Sequence, residues 1–379
     1  MCFQNPYNFS NYKDEILLRK ILSFNPQYII LNIGGGIQEP LGYFLHKNLK
    51  NKNNHILSAN EGTAVSLGMG YHLATKKLAC IYMQNSGLGN AINPLISMAH
   101  KKVYSIPMVL LIGWRGSPNS KDEPQHMIKG QITRNLLKLL GIKFVIVNNK
   151  KDLKKLDLLI KFSKKNNQPI AGLFKKDCFK KSDLRIRNFN KNKINRQDFI
   201  KKFLKTIPKN SKVISTTGFT SRELFQIRNS LNIKSSKDFY MIGGMGHASS
   251  VSLGVSLFTK KNIYCLDGDG SLLMHMGSLK TIGDYGKKNI KHILFNNNCH
   301  ESVGNQETSV DKINFKTLLK SLGYKNYIQL KNENEINKLL NKFIKLKGPS
   351  FLEVKISSGS FKKLGRPSKF LKIKRNFIN

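Results

Sequence analysis

The stretch that most constrains this chain runs from Cys265 to Gln306, CLDGDGSLLMHMGSLKTIGDYGKKNIKHILFNNNCHESVGNQ. It starts with a short apolar strand, Asn262 to Leu266, that ends in Asp267-Gly268-Asp269-Gly270-Ser271. A helix-like segment follows, then a second apolar strand, His292 to Phe295, that ends in Asn296-Asn297-Asn298. Two strand ends thus each deliver an oxygen-bearing side chain, Asp269 and an Asn, to the carboxyl edge of a parallel sheet, where open α/β sheets bind ligands. The glycines flanking Asp269 admit a bulky anion close to the backbone, and a helix opening at Ser271 points free N–H groups at it. One carboxylate with amide and backbone oxygens makes a hard, oxygen-only set suited to Mg²⁺ bridging a diphosphate. A bare Gly-Asp-Gly is mostly a turn. Its pairing with an Asn run about 27 residues later, each at a strand end, is the specific signal.

The remaining pattern agrees. In the first half, strands at Tyr28–Ile33, His55–Ser58, Leu78–Met83, Pro107–Ile112, Lys143–Val147 and Pro169–Phe174 alternate with helical patterns that include 13–24 and 40–49. A polar loop over Ser117–Gly130 precedes a helix near Ile132–Leu140. Lys175 to Asn195 is charged and irregular, and the pattern then restarts with six more strands before a basic tail over Ser357–Asn379. The expectation is α/β: two doubly wound parallel-sheet domains, 1–178 and 196–379, joined by a linker over 179–195.

With 379 residues, 40% apolar and 9% aromatic, the chain has enough material for two cores. Neither an apolar run of about 18 residues nor a signal-peptide pattern is visible, which points to a cytoplasmic protein without membrane attachment. Five cysteines lacking CxxC spacing fit reduced thiols. The net charge of +42 would favour nucleic acid if read literally. The excess is mostly Lys, spread evenly and accompanied by Asn and Ile, which reads as codon bias. No nucleic-acid-binding motif accompanies it, so no specific nucleic-acid partner is expected.

Glu61 stands at a helix start among ANEGTAVSLGMG, where a first-turn Glu is favoured by the helix dipole alone. Together with MQNSGLGNAINPL, WRGSPNSKDEPQH, MIGGMGHASSVSLG, GDGSLLMHMGSLKTIG, NNNCHESVGNQ and LGRP, seven segments in one order, it resembles the phosphonopyruvate decarboxylase family of thiamine diphosphate enzymes across nearly the whole chain. The resemblance implies a pyrimidine-type domain followed by a diphosphate-type domain. Glu61 would then activate the aminopyrimidine of thiamine diphosphate, generating its ylid. Gly244 and Met245 would prop the cofactor, while Gly268, Asp269, Gly270, Ser271 and Asn297 hold the diphosphate. Mg²⁺ would take Asp269, Asn297 and the carbonyl of Cys299; three consecutive Asn leave Asn296 as a substitute. Arg115, His126, Lys129 and Gln306 are the substrate candidates, for a small anionic 2-keto acid, and His126 or His300 would relay protons. The implied assembly is an obligate homo-oligomer with active sites between subunits, in phosphonate biosynthesis. Sulfopyruvate decarboxylase shares much of the pattern, an acetolactate-type carboligase is a second alternative, and a basic nucleic-acid-binding protein on a degenerate scaffold is remote. GGGIQEPL, at 34–41, departs from the proline- and serine-containing turn usual in the family.

Overall fold

The computed structural model describes residues 29–31, 55–175, 178, 190, 192–232, 237–303, 305–361 and 363–379. The helices expected over 13–24 and 40–49, the Gly34–Gly36 turn and residues 179–189 and 191 of the 179–195 linker lie outside these residues. The chain divides into two compact units, 1–186 and 187–379.

The first unit contains β1 (Ile29–Leu31), β2 (His55–Leu57), α1 (Glu61–Thr75), β3 (Ala79–Gln84), α2 (Leu88–Pro94), β4 (Met108–Trp114), α3 (Pro124–Leu139), β5 (Lys143–Val147), α4 (Leu153–Asn166) and β6 (Ile170–Lys175). Its six strands are all parallel in the order β2-β1-β3-β4-β6-β5. Every residue of β3 and β4 is buried, as expected of parallel strands covered by helices on both faces, which read as continuous apolar runs.

The second unit contains α5 (Arg196–Thr206), β7 (Lys212–Ser215), α6 (Phe219–Ser230), β8 (Asp238–Tyr240), α7 (Ala248–Leu257), β9 (Ile263–Gly268), α8 (Asp269–Met274), α9 (Ser278–Tyr285) and β10 (Ile290–Asn296). It finishes with α10 (Phe315–Ser321), β11 (Asn326–Leu330), α11 (Ile336–Lys345), β12 (Ser350–Lys355) and α12 (Phe370–Ile378). Its parallel sheet runs β11-β12-β10-β9-β7-β8. The order reverses between β7 and β9, so the carboxyl ends of these two strands flank the crevice where such sheets take ligands.

Three local expectations are corrected. Helix α3 begins at Pro124, not near Ile132, so His126 and Lys129 stand on a helix and not on a loop. Proline at the first helical position lacks only an N–H that would be unpaired anyway. Gly130 reads as a breaker in sequence, yet it sits mid-helix because the chain crosses it closely: a Cβ there would lie 1.7 Å from the Gly116 carbonyl oxygen. Helix α8 opens at Asp269, two residues before the expected Ser271, and stops after six residues. The basic tail ends in α12, where Phe370, Ile373 and Phe377 share one face and Phe377 packs on Phe239 with ring centroids 5.5 Å apart.

The contact between Gly116 and Gly130 joins the end of β4 to α3, and it yields a test. Gly130→Ala should cost about 1–3 kcal/mol in chemical denaturation, since the backbone must separate. Gly70→Ala on α1, whose Cβ would meet open space, should stabilise by up to about 1 kcal/mol.

Candidate active site

In the first unit the focus is Glu61, the first residue of α1, 4% exposed. Its helix starts here because Asn60 caps it, the Asn60 side chain accepting from the Thr63 N–H at 2.9 Å. Asn90 Nδ2 donates to Glu61 Oε2 at 2.7 Å. Gly87 closes the other side: a Cβ there would sit 2.2 Å from Glu61 Oε1. The turn carrying Gly87 is tied to the β4 edge by Asn85, whose Nδ2 donates to the Arg115 carbonyl and to Thr133 Oγ1, each at 3.0 Å.

Arg115, at that edge, grips Asp122 with both Nε, at 3.0 Å, and Nη2. Burial pushes the Asp122 carboxyl up, but the Arg115 guanidinium outweighs it and holds the group below its usual value. Two donors of the Arg115 fork are therefore engaged within the loop. Lys129 lies where the Glu61 carboxylate is felt: burial lowers the ammonium's pKa and Glu61 opposes that. His126, one turn earlier on α3, is pushed down to about 4, by burial first and then by Arg115 and Lys129, against the opposing pull of Asp122. Its Nδ1 has no hydrogen-bond partner among the described residues.

In the second unit Asp269 is 3% exposed at the end of β9. Its Oδ1 accepts from the Gly270 N–H at 2.8 Å and its Oδ2 from Thr308 Oγ1 at 3.1 Å. No cationic side chain pairs with it among the described residues, and burial raises it to about 7. The same hydroxyl of Ser271 shares a 2.8 Å hydrogen bond with Thr216 Oγ1 and accepts from the Gly246 N–H at 3.0 Å. Ser271 thus joins the ends of β7 and β9 to the Gly243–Gly246 turn, where Gly244 holds φ +59 and Met245 is half-buried. Below them His292 Nε2 faces Asp267 Oδ2 at 3.4 Å, linking β10 to β9.

The register of the three asparagines is resolved by their partners. Asn296 is fully buried, its Nδ2 donating to Glu353 Oε1 at 2.8 Å and its Oδ1 accepting from the Asn298 N–H. Asn297 is 3% exposed and turns toward the loop, its Oδ1 accepting from the Cys299 N–H at 3.2 Å. Burial pushes the Cys299 thiol up to about 12, so the sulfur stays protonated and its carbonyl is the donor open to a hard cation. His300 lies against Gly270, whose Cβ would stand 2.0 Å from His300 Nδ1, and burial pushes the imidazole down to about 3. Gln306 is half-buried and its carbonyl accepts from the His300 N–H at 2.8 Å.

The structure therefore gathers Glu61, Arg115, His126 and Lys129 in one unit, and Gly244, Met245, Gly268, Asp269, Gly270, Ser271, Asn297, Cys299, His300 and Gln306 in the other. Sequence reasoning did not single out Asn90, Thr216 or Thr308; the first stands in a quoted motif, whereas the other two carry no local signal. The donor set fits Mg²⁺. A buried carboxylate lacking a protein cation, beside carboxamide and carbonyl oxygens, is what a hard divalent ion neutralises.

Comparison with known proteins agrees. Residues 14–138 match the thiamine pyrophosphate enzyme N-terminal TPP binding domain, and 216–354 the corresponding C-terminal TPP binding domain. The chain is 31% identical over 334 residues to phosphonopyruvate decarboxylase of Streptomyces viridochromogenes, covering 83% of this chain and 81% of that one. The Streptomyces hygroscopicus enzyme of the same name is 30% identical, with 83% and 80% covered. Sulfopyruvate decarboxylase of Methanosarcina acetivorans is 26% identical, with 79% and 81% covered.

The depressed pKa of His126 has a consequence in acid. The unfolded imidazole takes up a proton near 6.5 and the folded one only near 4, so stability is whole above the first value and falls as pH drops from 6.5 to 4. His126→Gln removes that proton linkage. Melting curves of the two proteins should therefore show the parent losing Tm faster across this window; parallel loss would contradict the burial of His126.

Proposed function

The chain belongs to the phosphonopyruvate decarboxylase family of thiamine pyrophosphate enzymes, and from that premise we propose how its residues divide the work. The reaction is decarboxylation of 3-phosphonopyruvate to phosphonoacetaldehyde and CO₂. Bound thiamine diphosphate supplies the carbon nucleophile and the electron sink for the departing carboxylate's electron pair. Everything else falls to the side chains.

Glu61 holds a proton at the cofactor's aminopyrimidine. Its place at 4% exposure at the start of α1, with Asn90 donating to Oε2 and Gly87 leaving room beside Oε1, supports this. Asp269, Asn297 and the Cys299 carbonyl hold Mg²⁺, while Gly268, Gly270 and Ser271 line the diphosphate. Gly244 and Met245 support the cofactor's body. The single observation that carries the reading is Asp269, a buried carboxylate among oxygen donors with no protein cation against it among the described residues.

Lys129 meets the anionic substrate beside Glu61. Arg115 contributes less than its charge suggests, because Asp122 engages two of its donors. Gln306 completes the candidate contacts. His126 and His300 are neutral at pH 7, so either would relay a proton, taking one at its bare ring nitrogen as the N–H on the other gives its own up. The proposal includes a pyrimidine-type domain over 1–178, a diphosphate-type domain over 196–379 and a homo-oligomeric, cytoplasmic enzyme in phosphonate biosynthesis. Among the described residues no helix is long and apolar enough to cross a membrane, and Cys80, Cys265 and Cys299 are thiols outside any disulfide.

CO₂ release should require both thiamine diphosphate and Mg²⁺, and phosphonopyruvate should outcompete sulfopyruvate on purified enzyme. Preference for sulfopyruvate would move the substrate and keep the mechanism, whereas a ligated product would mark a carboligase. Glu61→Gln should lower kcat by about 10²–10⁴-fold. Light scattering on the active enzyme should show an oligomer; a fully active monomer would overturn that part.

A further inference from the structure

Asn297 is held by more than its own loop. Its Nδ2 donates to Glu301 Oε2 at 3.1 Å, and the same oxygen accepts from Arg196 Nη1 at 3.0 Å. Glu301 Oε1 is fixed by the Gly359 N–H. Arg196 is 5% exposed at the first turn of α5, and its Nε and Nη2 donate to Glu223, a carboxylate with 0% exposure, at 2.6 and 3.2 Å. Gln197 Nε2 adds a 3.2 Å bond to Glu223, and the Gly359 carbonyl lies 3.4 Å from Arg196 Nη2. One guanidinium thus spans two carboxylates, and the second of them touches the metal-loop carboxamide.

We propose that Glu301, itself held by Arg196 and Glu223, is a positioning residue that sets which end of the Asn297 carboxamide faces a bound Mg²⁺. The proposal rests on the cofactor reading above. A carboxylate only accepts hydrogen bonds, so it takes the NH₂ end of the amide and leaves Oδ1 for the loop. There Oδ1 already receives the Cys299 N–H and keeps a lone pair for a cation. The two ends of a carboxamide have nearly the same shape, so shape alone does not choose between them; the Glu301 charge at one end and the Cys299 N–H at the other do. The pairing also polarises the amide, making Oδ1 a better donor to a hard ion, as outer-shell partners do for metal ligands elsewhere. Arg196 in turn holds the Glu301 carboxylate in place against Asn297.

Glu301→Gln weakens the rule. A glutamine can donate as well as accept, so only the Cys299 N–H is left to hold Oδ1 toward the loop, and the orientation with NH₂ toward the cation becomes more populated. Arg196→Lys keeps a positive charge near Glu223 but cannot bridge both carboxylates with a fixed fork. The test is binding of thiamine diphosphate to purified protein by calorimetry across a Mg²⁺ series, without substrate. Glu301→Gln should raise the half-saturating Mg²⁺ about 10–100-fold, with binding restored at high Mg²⁺. Arg196→Lys should shift it in the same direction and covers the case in which Glu301→Gln does not fold. Asp238→Asn serves as the structural comparison, because it breaks another buried Arg–carboxylate pair of this unit, Arg228–Asp238 at 2.8 and 2.9 Å. It should lower Tm and leave the Mg²⁺ series unmoved. An unchanged half-saturating Mg²⁺ in both Glu301→Gln and Arg196→Lys overturns the positioning role while the cofactor reading stands. Absence of Mg²⁺-dependent thiamine diphosphate binding in the parent protein overturns the cofactor reading and this inference with it.

Discussion

A carboxylate taken out of water is among the costliest groups a fold can bury, and the second unit is built around one. Asp269 is 3% exposed, and its environment offers hydrogen-bond donors but no counter-charge among the described residues. Thr308 and the Gly270 N–H steady its two oxygens without neutralising them. Such an arrangement is tolerable in a protein whose working form contains a divalent cation at that point, because the cation returns what desolvation removes. Much nearby follows from it. Strand β9 ends so that α8 starts on Asp269, the Thr216–Ser271 bond closes the crevice between β7 and β9, and the 296–308 loop wraps back to deliver Thr308.

The first unit solves a different problem, that of keeping a carboxyl beside a strand edge crowded with cations. Glu61, Arg115, His126 and Lys129 come from three different segments, and two glycines make their approach possible. Gly87 leaves space for the Glu61 carboxyl, while Gly130 lets α3 touch the Gly116 carbonyl and so brings His126 and Lys129 to the end of β4. Asp122 then takes up Arg115 and opposes the pull of Arg115 and Lys129 on His126. Position in this unit is thus set by backbone contact first and by charge second.

These features differ in how far the sequence betrays them. Buried parallel strands are apolar on both faces, so the central ones such as β3, β4, β9 and β10 are legible as runs, and the last two carry Asp269 and the Asn triplet at their ends. Helix α3 is misread because Gly130 and the polar 117–123 stretch look like a loop; the reason for the glycine is a backbone 14 residues away in sequence, at Gly116. Helix α12 is hidden because Lys372, Lys374, Arg375 and Asn376 interrupt its apolar residues. The choice between Asn296 and Asn297 depends on Glu353 and Glu301, and that of Arg115 on Asp122. What the sequence leaves open is pairing between residues that share no local pattern.

Charge distribution sharpens the meaning of the basic composition. Against 64 Lys and Arg the chain has only 22 acids, yet Glu61, Asp152, Glu223, Asp238, Asp267, Asp269 and Glu353 are all buried. Burial is the most expensive place for an acid, so drift toward Lys should remove interior acids first unless they are needed where they stand. Glu223 and Asp238 each face a buried arginine, Glu353 holds Asn296, and Glu61 and Asp269 occupy the two edges described above. Acids are sparse overall, and these interior ones are held by hydrogen bonds and ion pairs within the fold. The charges that shape the two units are therefore mostly buried ones, whatever the balance of the surface.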